Sequence, residues 1–325
     1  MDLIYTDENR IDIGILKDYE LDFEIGSENN FQITTSTENN VIPMISSQKE
    51  RDFENTEYGG KITTLKIDTT QNRLYYGGRT FYGMLCDKVI CPDSGEDYYI
   101  VSGDANAIIS ELIDRLGLKE LFIASSEKSG LNFLNYKFDR YIDCYFGLVK
   151  MLKTKNVKLK AMFKDKSVML TVEPIIDYSN EEFSSDLINF IIEKNDAPVN
   201  HLICLGQGNL SERTVIDLYI DENGKISQNP HYVGLNEISE VYDYSNVESN
   251  DELLKSGTDK LLEYQNFDNI EITIENSEKD VGDIVGGEEV VTGLKISGEI
   301  TKKIVKIQNN EAPKFVYEVG NRTVM

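Results

Sequence analysis

Apolar and polar residues alternate with a period of two in short runs near both ends of this chain. That alternation restricts the possible folds more than any other feature. Asp22-Phe23-Glu24-Ile25 and Phe31-Gln32-Ile33-Thr34 read this way, and Thr63–Asp68 reads likewise. Side chains on a strand point alternately to opposite faces, so such runs predict strands with one buried face. Thr80–Ile90 reads as a longer strand, and Gly59-Gly60 and Gly77-Gly78 read as turn marks. Residues 1–100 are therefore expected to form an antiparallel β-domain. The aromatic residues are 18 Tyr and 13 Phe with no Trp, and Tyr and Phe both suit pleated surfaces.

The period then changes. Ile108, Ile109, Leu112, Ile113 and Leu116 make one helical stripe, with N-cap candidates at Ser102-Gly103-Asp104 and Gly117 past its end. A second helix is expected over Asp139–Lys153, with Ile142, Phe146 and Val149 on one face. Lys158–Phe163 and Ser167–Glu173 read as a hairpin around Lys164-Asp165-Lys166. Residues 101–197 thus form a small α/β middle section. Strands return in residues 198–325, where Val215–Ile220 and a strand from Ile226 flank an Asn-Gly turn. One helix, 251–264, is inserted before a strand at Ile270–Glu275, and Leu253, Leu254, Leu261 and Leu262 mark its apolar side. No repeat of 20–50 residues is visible. The fold class expected is α+β and β-rich: two antiparallel β-barrel-like domains around the middle section.

Lys and Arg total 33 against 57 Asp and Glu, a formal charge of −24. A field of that sign repels nucleic acid and anionic lipid, so sequence-specific nucleic-acid binding is not expected. No apolar run approaches the roughly 18 residues that cross a bilayer, so no membrane insertion is expected. The acidic start, Met1 to Glu8, does not resemble a secretory signal, so synthesis in a cytoplasm is expected.

Catalytic constellations are thin. His201 and Cys204 could begin a metal site, but a structural zinc centre needs about four ligands and the others are missing. A buried Cys beside a hydrogen-bonded His is the expected arrangement. Cys86, Cys91, Cys144 and Cys204 form no CxxC pair and are expected as buried free thiols. Gly206-Gln207-Gly208 begins like a dinucleotide fingerprint, but its third glycine would be Ser211, and a strand follows where a helix is needed. Asp221-Glu222-Asn223-Gly224 lacks the spacing of a calcium loop. Glu173, Asp177, Glu181 and Glu182 could line a hydrolytic cleft, though solvated loop acids are the simpler reading. Tyr75, Tyr76, Phe81, Tyr82, Tyr98 and Tyr99 are the candidates for a carbohydrate groove. No catalytic, cofactor-binding or metal-ligating residue is assigned, and no enzymatic activity is expected.

One segment departs from the acidic background. Lys150, Lys153, Lys155, Lys158, Lys160, Lys164 and Lys166 face only Asp165 in their stretch. A solvated hairpin and helix end is the plain reading of this Lys150–Lys166 run. A contact with an acidic neighbour, such as another copy of the chain, is the functional one.

Several segments taken in order resemble a known family. They are Gly77 to Gly83, Arg140-Tyr141 opening a helix, Pro198 to Gly206 leading into Arg213 to Tyr219, and Asp280-Val281-Gly282-Asp283-Ile284-Val285-Gly286-Gly287 followed by Thr292-Gly293 and Ile300 to Val305. This set resembles the phage tail and baseplate hub proteins of Gram-positive siphophages and tail-like particles, which are similar to the trimeric hubs of contractile injection systems. The resemblance runs from about Arg79 to Gly320. It implies a structural virion protein with two tail-tube-like domains, three copies of which form a pseudo-sixfold ring. The implied partners are a tail tube protein, a spike or needle, other baseplate proteins and a tape-measure protein. A receptor- or carbohydrate-binding tail component and a carboxylate-based cell-wall hydrolase are the alternatives.

In the Asp280 block, Gly282 is expected to permit a sharp turn that Asp283 fixes by accepting nearby amides. Leu294, Ile296, Ile300, Ile304 and Ile307 should alternate inward along the strands that follow. Lys295, Lys302, Lys303 and Lys306 should face water or a neighbour.

Overall fold

The computed structural model describes residues 2–7, 9–39, 45–49, 56–179, 188–193, 197–245, 247, 249–265, 269–275, 278–288, 295–308 and 312–324. The chain divides into two compact units. The first comprises residues 1–190, 271–319 and 323–325, and the second residues 191–270 and 320–322. The protein is β-rich with a minority of helix, an α+β chain.

The first unit is built on a long sheet. From Lys314–Val324 it runs through Lys295–Ile307, Tyr19–Ile25, Asn30–Ser36, Arg73–Thr80, Gly59–Asp68, Ile45–Lys49 and Asp2–Thr6 to Asp12–Leu16. Neighbours along this path from Lys295–Ile307 onward pair antiparallel. Among the described residues no strand closes it into a barrel. The period-two runs at residues 22–25 and 31–34 lie inside it, with Leu21, Phe23, Ile25, Phe31 and Ile33 all buried.

The glycine pairs are not turns. Gly60 and Gly78 lie inside paired strands, where a Cβ on Gly78 would stand 2.2 Å from the Lys61 carbonyl oxygen and 2.6 Å from the Phe31 ring. They are glycines because two backbones and a ring meet there. The turn between these strands falls at residues 69–72 instead, with Asn72 at φ 55°.

Thr80–Ile90 is not one strand either. Thr80 caps a short helix, Phe81–Cys86, by accepting from the Gly83 amide at 3.1 Å, and its own hydroxyl donates to the Asn29 carbonyl at 2.9 Å. The helix buries Phe81, Tyr82 and Leu85. Gly83 lets it approach the Asn29 backbone, where a Cβ would meet the carbonyl oxygen at 2.1 Å.

The α/β section packs on this frame. Ala105–Arg115 is the helix expected, capped by Asp104 and followed by Gly117 at φ 68°. Its stripe buries Ile108, Ile109, Leu112 and Ile113, each contributing roughly 1.5–3 kcal/mol of transfer free energy. The second helix is shorter than expected. Arg140-Tyr141 does not open it, and it runs from Cys144 to Lys153 because Asp143 caps it through the Phe146 amide. Its buried face is Cys144, Tyr145, Leu148, Met151 and Leu152, so Phe146 points outward. The expected hairpin forms from Val157–Lys164 and Ser167–Pro174, its turn made by Asp165 and Lys166 at φ 49° and 66°. Phe122–Ala124 joins it in parallel.

The second unit is a four-stranded sheet in the order Ile226–Ser227, Val215–Ile220, His201–Leu205, Ser239–Asp243, the last pair parallel. Helix Asn250–Gln265 covers one face. Leu253 and Leu261 enter a core with Leu202, Cys204, Leu218, Ile220 and Val247.

Candidate functional site

The most unusual chemistry of the first unit lies inside it. In Val157–Lys164, Lys158 and Lys160 are two residues apart and share a face, while Leu159 and Ala161 enter the core on the other. Lys158 donates to both oxygens of Asp283, at 2.7 and 2.8 Å, and lies 3.0 Å from Asp280. Lys160 reaches Glu57 at 2.7 Å and Asp280 at 2.6 Å. Lys303, 1% exposed, comes from Lys295–Ile307 and binds Glu57, Glu278 at 2.9 Å, and Asp280 at 3.6 Å. Tyr58 donates to Glu278, and Tyr82 donates to Glu57 at 3.3 Å while accepting the Ala161 amide at 3.0 Å.

The Asp280 block supplies the anions because of its turn. Gly282 has φ 97°, as its position requires. Asp283 accepts the Ile176 amide at 2.8 Å and the Asp280 amide at 3.1 Å, which fixes the loop. Both expectations for this turn hold. The lysines differ from expectation. Lys158 and Lys160 turn inward, so the basic segment is not one solvated face, and its acidic neighbour is another part of the same chain. Lys303 is buried, Lys302 pairs with Glu24 and Glu318, and Lys306 is exposed. The side chain of Lys295, like those of Leu294 and Ile296, lies outside the described residues.

Lys303 is buried because its strand changes face. Residues 295–299 pair with Ile284–Glu288, and residues 303–307 pair with Tyr19–Ile25. Gly298 and Ile300 are buried before the change, and Lys303, Val305 and Ile307 after it. The alternation slips by one, which turns Ile304 partly outward and Lys303 inward.

Burial raises the Glu57 carboxyl, but Lys303 and Lys160 overcome that and hold it down at about 2. Asp280 is likewise lowered: burial opposes, and Lys160 and Lys303 prevail. Lys160 and Lys303 are lifted above the ordinary lysine value, against burial, by Glu57 with Asp280 and with Glu278 respectively. Burial raises Tyr58 and Tyr82 well above theirs. The lowered carboxyls and raised tyrosines are shifted away from the near-neutral range that general acid–base work favours. The carboxylate oxygens of Glu57, Glu278 and Asp280 lie within 4.8 Å of one another, as a metal cage would need. The Lys303 ammonium bonds to two of them and stands near the third, so the cation of this cage is a lysine. A cavity of about 50 Å³ beside the network has room for a few waters only.

The other candidates are not assembled into sites. His201 and Cys204 occupy opposite faces of one strand, and Cys204 packs in the core of the second unit. His201 is held at Nδ1 by Glu237 at 2.6 Å and Ser239 at 3.0 Å, and at Nε2 by Asp217 at 2.9 Å, with its ring stacked on Tyr219. Both ring nitrogens are thus engaged by side chains of the same sheet and its flanking loop, which hold the ring in place.

Cys144 and Cys204 are buried as expected, but Cys86 is half-buried and Cys91 exposed. Burial pushes Cys86 and Cys144 up to about 12 and Cys204 to about 11. Gly208 sits at φ 105° between two antiparallel strands, which is no nucleotide loop. Asp221 accepts the amides of Asn223 and Lys225, each at 2.9 Å, so the carboxylate serves the turn. Glu173 is half-buried and Asp177 exposed, while Glu181 and Glu182 lie outside the described residues. Tyr76, Phe81, Tyr82 and Tyr99 are buried, which leaves Tyr75 and Tyr98 too few for a stacking groove.

No family model matches the sequence. No curated protein matches it either. Solved structures do match the fold. The 43 kDa tail protein of prophage MuSo2 from Shewanella oneidensis has a TM-score of 0.57 at 11% identity, covering 98% of each chain. A tail protein from Neisseria meningitidis MC58 has a TM-score of 0.52 at 10% identity, covering 98% of this chain and 96% of that one. Prophage tail protein gp18 from Listeria monocytogenes EGD-e gives 0.47 at 13% identity, which adds no weight. At these identities the fold is what is shared: this chain has the fold of these two tail proteins over 98% of its length.

Proposed function

We propose that this chain is a structural subunit of a phage tail or tail-like particle, a baseplate hub that links the tail tube to a central spike or needle. In this reading three copies form a pseudo-sixfold ring, each giving two tail-tube-like domains, and the ring assembles in the bacterial cytoplasm. Its neighbours are the tube protein, the spike, other baseplate proteins and a tape-measure protein. The observation that carries the reading is end-to-end agreement of fold with the Shewanella tail protein, 98% of both chains. The buried network supports a structural rather than a catalytic role, because its charges are mutually neutralised and its protons fixed.

Electron microscopy of particles carrying a labelled copy of this chain tests the reading, together with native mass spectrometry of chain and particle. Density at the tail tip in three copies is expected. A chain absent from particles, or monomeric both free and within them, would sink it.

A further inference from the structure

Arg140-Tyr141 serves neither a helix start nor the buried network, yet it is held in an unusual shape. Tyr141 has φ 58° and is 60% exposed. A bulky side chain is rarely held in that left-handed region, because its Cβ crowds the following carbonyl. Core packing does not offset the strain, since most of the ring meets solvent, and the Arg140 guanidinium lies 5.4 Å from the ring centroid. Strain kept at the surface points to a contact made there. Two more apolar side chains surface nearby. Val89, 45% exposed, pairs with Asp143, two residues beyond Tyr141. Phe146, 38% exposed, donates its amide to the Asp143 carboxylate at 2.9 Å. Residues 56–179 are all described, so every segment that builds this patch is accounted for. Asp87 is paired with Arg79 and Asp139 with Lys150, and Asp143 caps the helix. Lys88 and Arg140, both exposed, have no carboxylate partner among the described residues.

We propose that this patch receives the acidic second unit of a neighbouring copy of the chain, with Val89, Tyr141 and Phe146 at the centre of the contact and Lys88 and Arg140 at its rim. An occupant must bring negative charge and apolar surface, and the second unit has both. Residues 191–270 hold fifteen Asp and Glu against five Lys and Arg. On the sheet face opposite its helix, Val215 and Val241 are 51% and 53% exposed. A second copy of the patch itself is a poor occupant, because Lys88 and Arg140 would meet their own kind. Tyr and Arg are the residues in which binding energy concentrates, and rim charges of opposite sign select the partner. The contact joins two different surfaces head to tail, so it makes a closed ring where the rotation closes. It deepens the ring reading above and rests on it.

Full-length Tyr141→Asn separates binding from folding. Asparagine takes a positive φ readily, so this variant should be at least as stable as wild type in urea, yet self-associate at least tenfold more weakly by sedimentation. Arg140→Glu should weaken association as much with stability unchanged. Natural-abundance and heavy-nitrogen chains are then mixed and treated with a carbodiimide, which joins amines to carboxylates in direct contact. Light–heavy cross-links from Lys88 to acids within residues 191–270 are expected. Self-association that survives both substitutions overturns this contact and leaves the tail reading standing. So do cross-links from Lys88 that stay within one chain or reach only other segments, and so does absence of association over the soluble concentration range. A Tyr141→Asn chain less stable than wild type overturns it too, because internal packing would then hold the tyrosine. Absence of the chain from particles is the separate result that overturns the tail reading.

Discussion

Replacing Lys303 with methionine keeps most of the side-chain volume and removes one buried charge. Glu57 then keeps only Lys160 as a cation, and Glu278 loses its ammonium partner. Glu57 is shifted from 4.5 to about 2 by Lys303 and Lys160 together, against burial. At about 1.4 kcal/mol per unit, the pairing is worth on the order of 3 kcal/mol to this group alone. Removing one partner of a buried pair typically costs about 3–5 kcal/mol, because the remaining charge stays desolvated. A loss in that range at pH 7 is expected for Lys303→Met, roughly 10 °C in Tm for a unit of this size.

The sign with pH follows from the lowered carboxyl. Its contribution is complete above about pH 4.5 and fades as the pH falls toward 2. The mutant has less of it to lose, so the gap between wild type and Lys303→Met should narrow between pH 6 and pH 3. Urea unfolding followed by far-UV circular dichroism measures both stabilities, and urea does not screen charge. The double variant Lys303→Met with Glu57→Gln should recover part of the loss. A gap below 1 kcal/mol at pH 7, or one that stays constant through the acid range, would refute the assignment of this network as a main stabilising element of the first unit.

Further outcomes can be checked on the same protein. Gly78→Ala should destabilise the first unit by about 2–4 kcal/mol, because its Cβ would stand 2.2 Å from a carbonyl oxygen, and urea titration reads this directly. Thr80→Ala should cost about 1–2 kcal/mol through the lost cap of Phe81–Cys86, visible as a lower urea midpoint with an unchanged slope. Gly257→Ala should destabilise the second unit despite the better helix propensity of alanine, since its Cβ would lie 2.4 Å from the Cys204 sulfur; calorimetry should show the second unit melting earlier. With a disulfide reagent at pH 8 the native protein should expose one fast thiol, Cys91. Cys86, half-buried and raised to about 12, should react slowly, and the buried Cys144 and Cys204 only on the unfolding timescale.

Local signals carried much of the fold. Asp104, the stripe from Ile108 to Ile113 and Gly117 agree on one helix, so Ala105–Arg115 could be read in advance. The Asp165-Lys166 turn was legible from the strand-like runs on either side of it, and the Val281-Gly282-Asp283 turn from its glycine, which takes a positive φ. What was not legible depended on remote partners. Phe81 to Cys86 is a short apolar run that suits a buried strand as well as a helix, and the Thr80 cap with its Asn29 partner goes with the helix. Gly60 and Gly78 look like turn residues until two strands are brought together. The lysines were hardest. Lysine is almost never buried unless paired, and Lys158 finds its anion 125 residues away. The available clue was two lysines alternating with Leu159 and Ala161 in one strand.

The strand Lys295–Ile307 also has a mechanical consequence. Its first half is hydrogen-bonded to Ile284–Glu288 and its second half to Tyr19–Ile25. Those bonds lie perpendicular to the strand. A force drawn along its axis therefore loads many of them at once in shear, instead of opening them one after another from an end. Where the strand crosses from one partner to the other, Lys303 is tied sideways to Glu57 and Glu278. The crossing point thus has an ionic anchor where backbone pairing on this edge changes hands, and tension applied at either end is shared by these two strands and by Lys314–Val324 on the other edge.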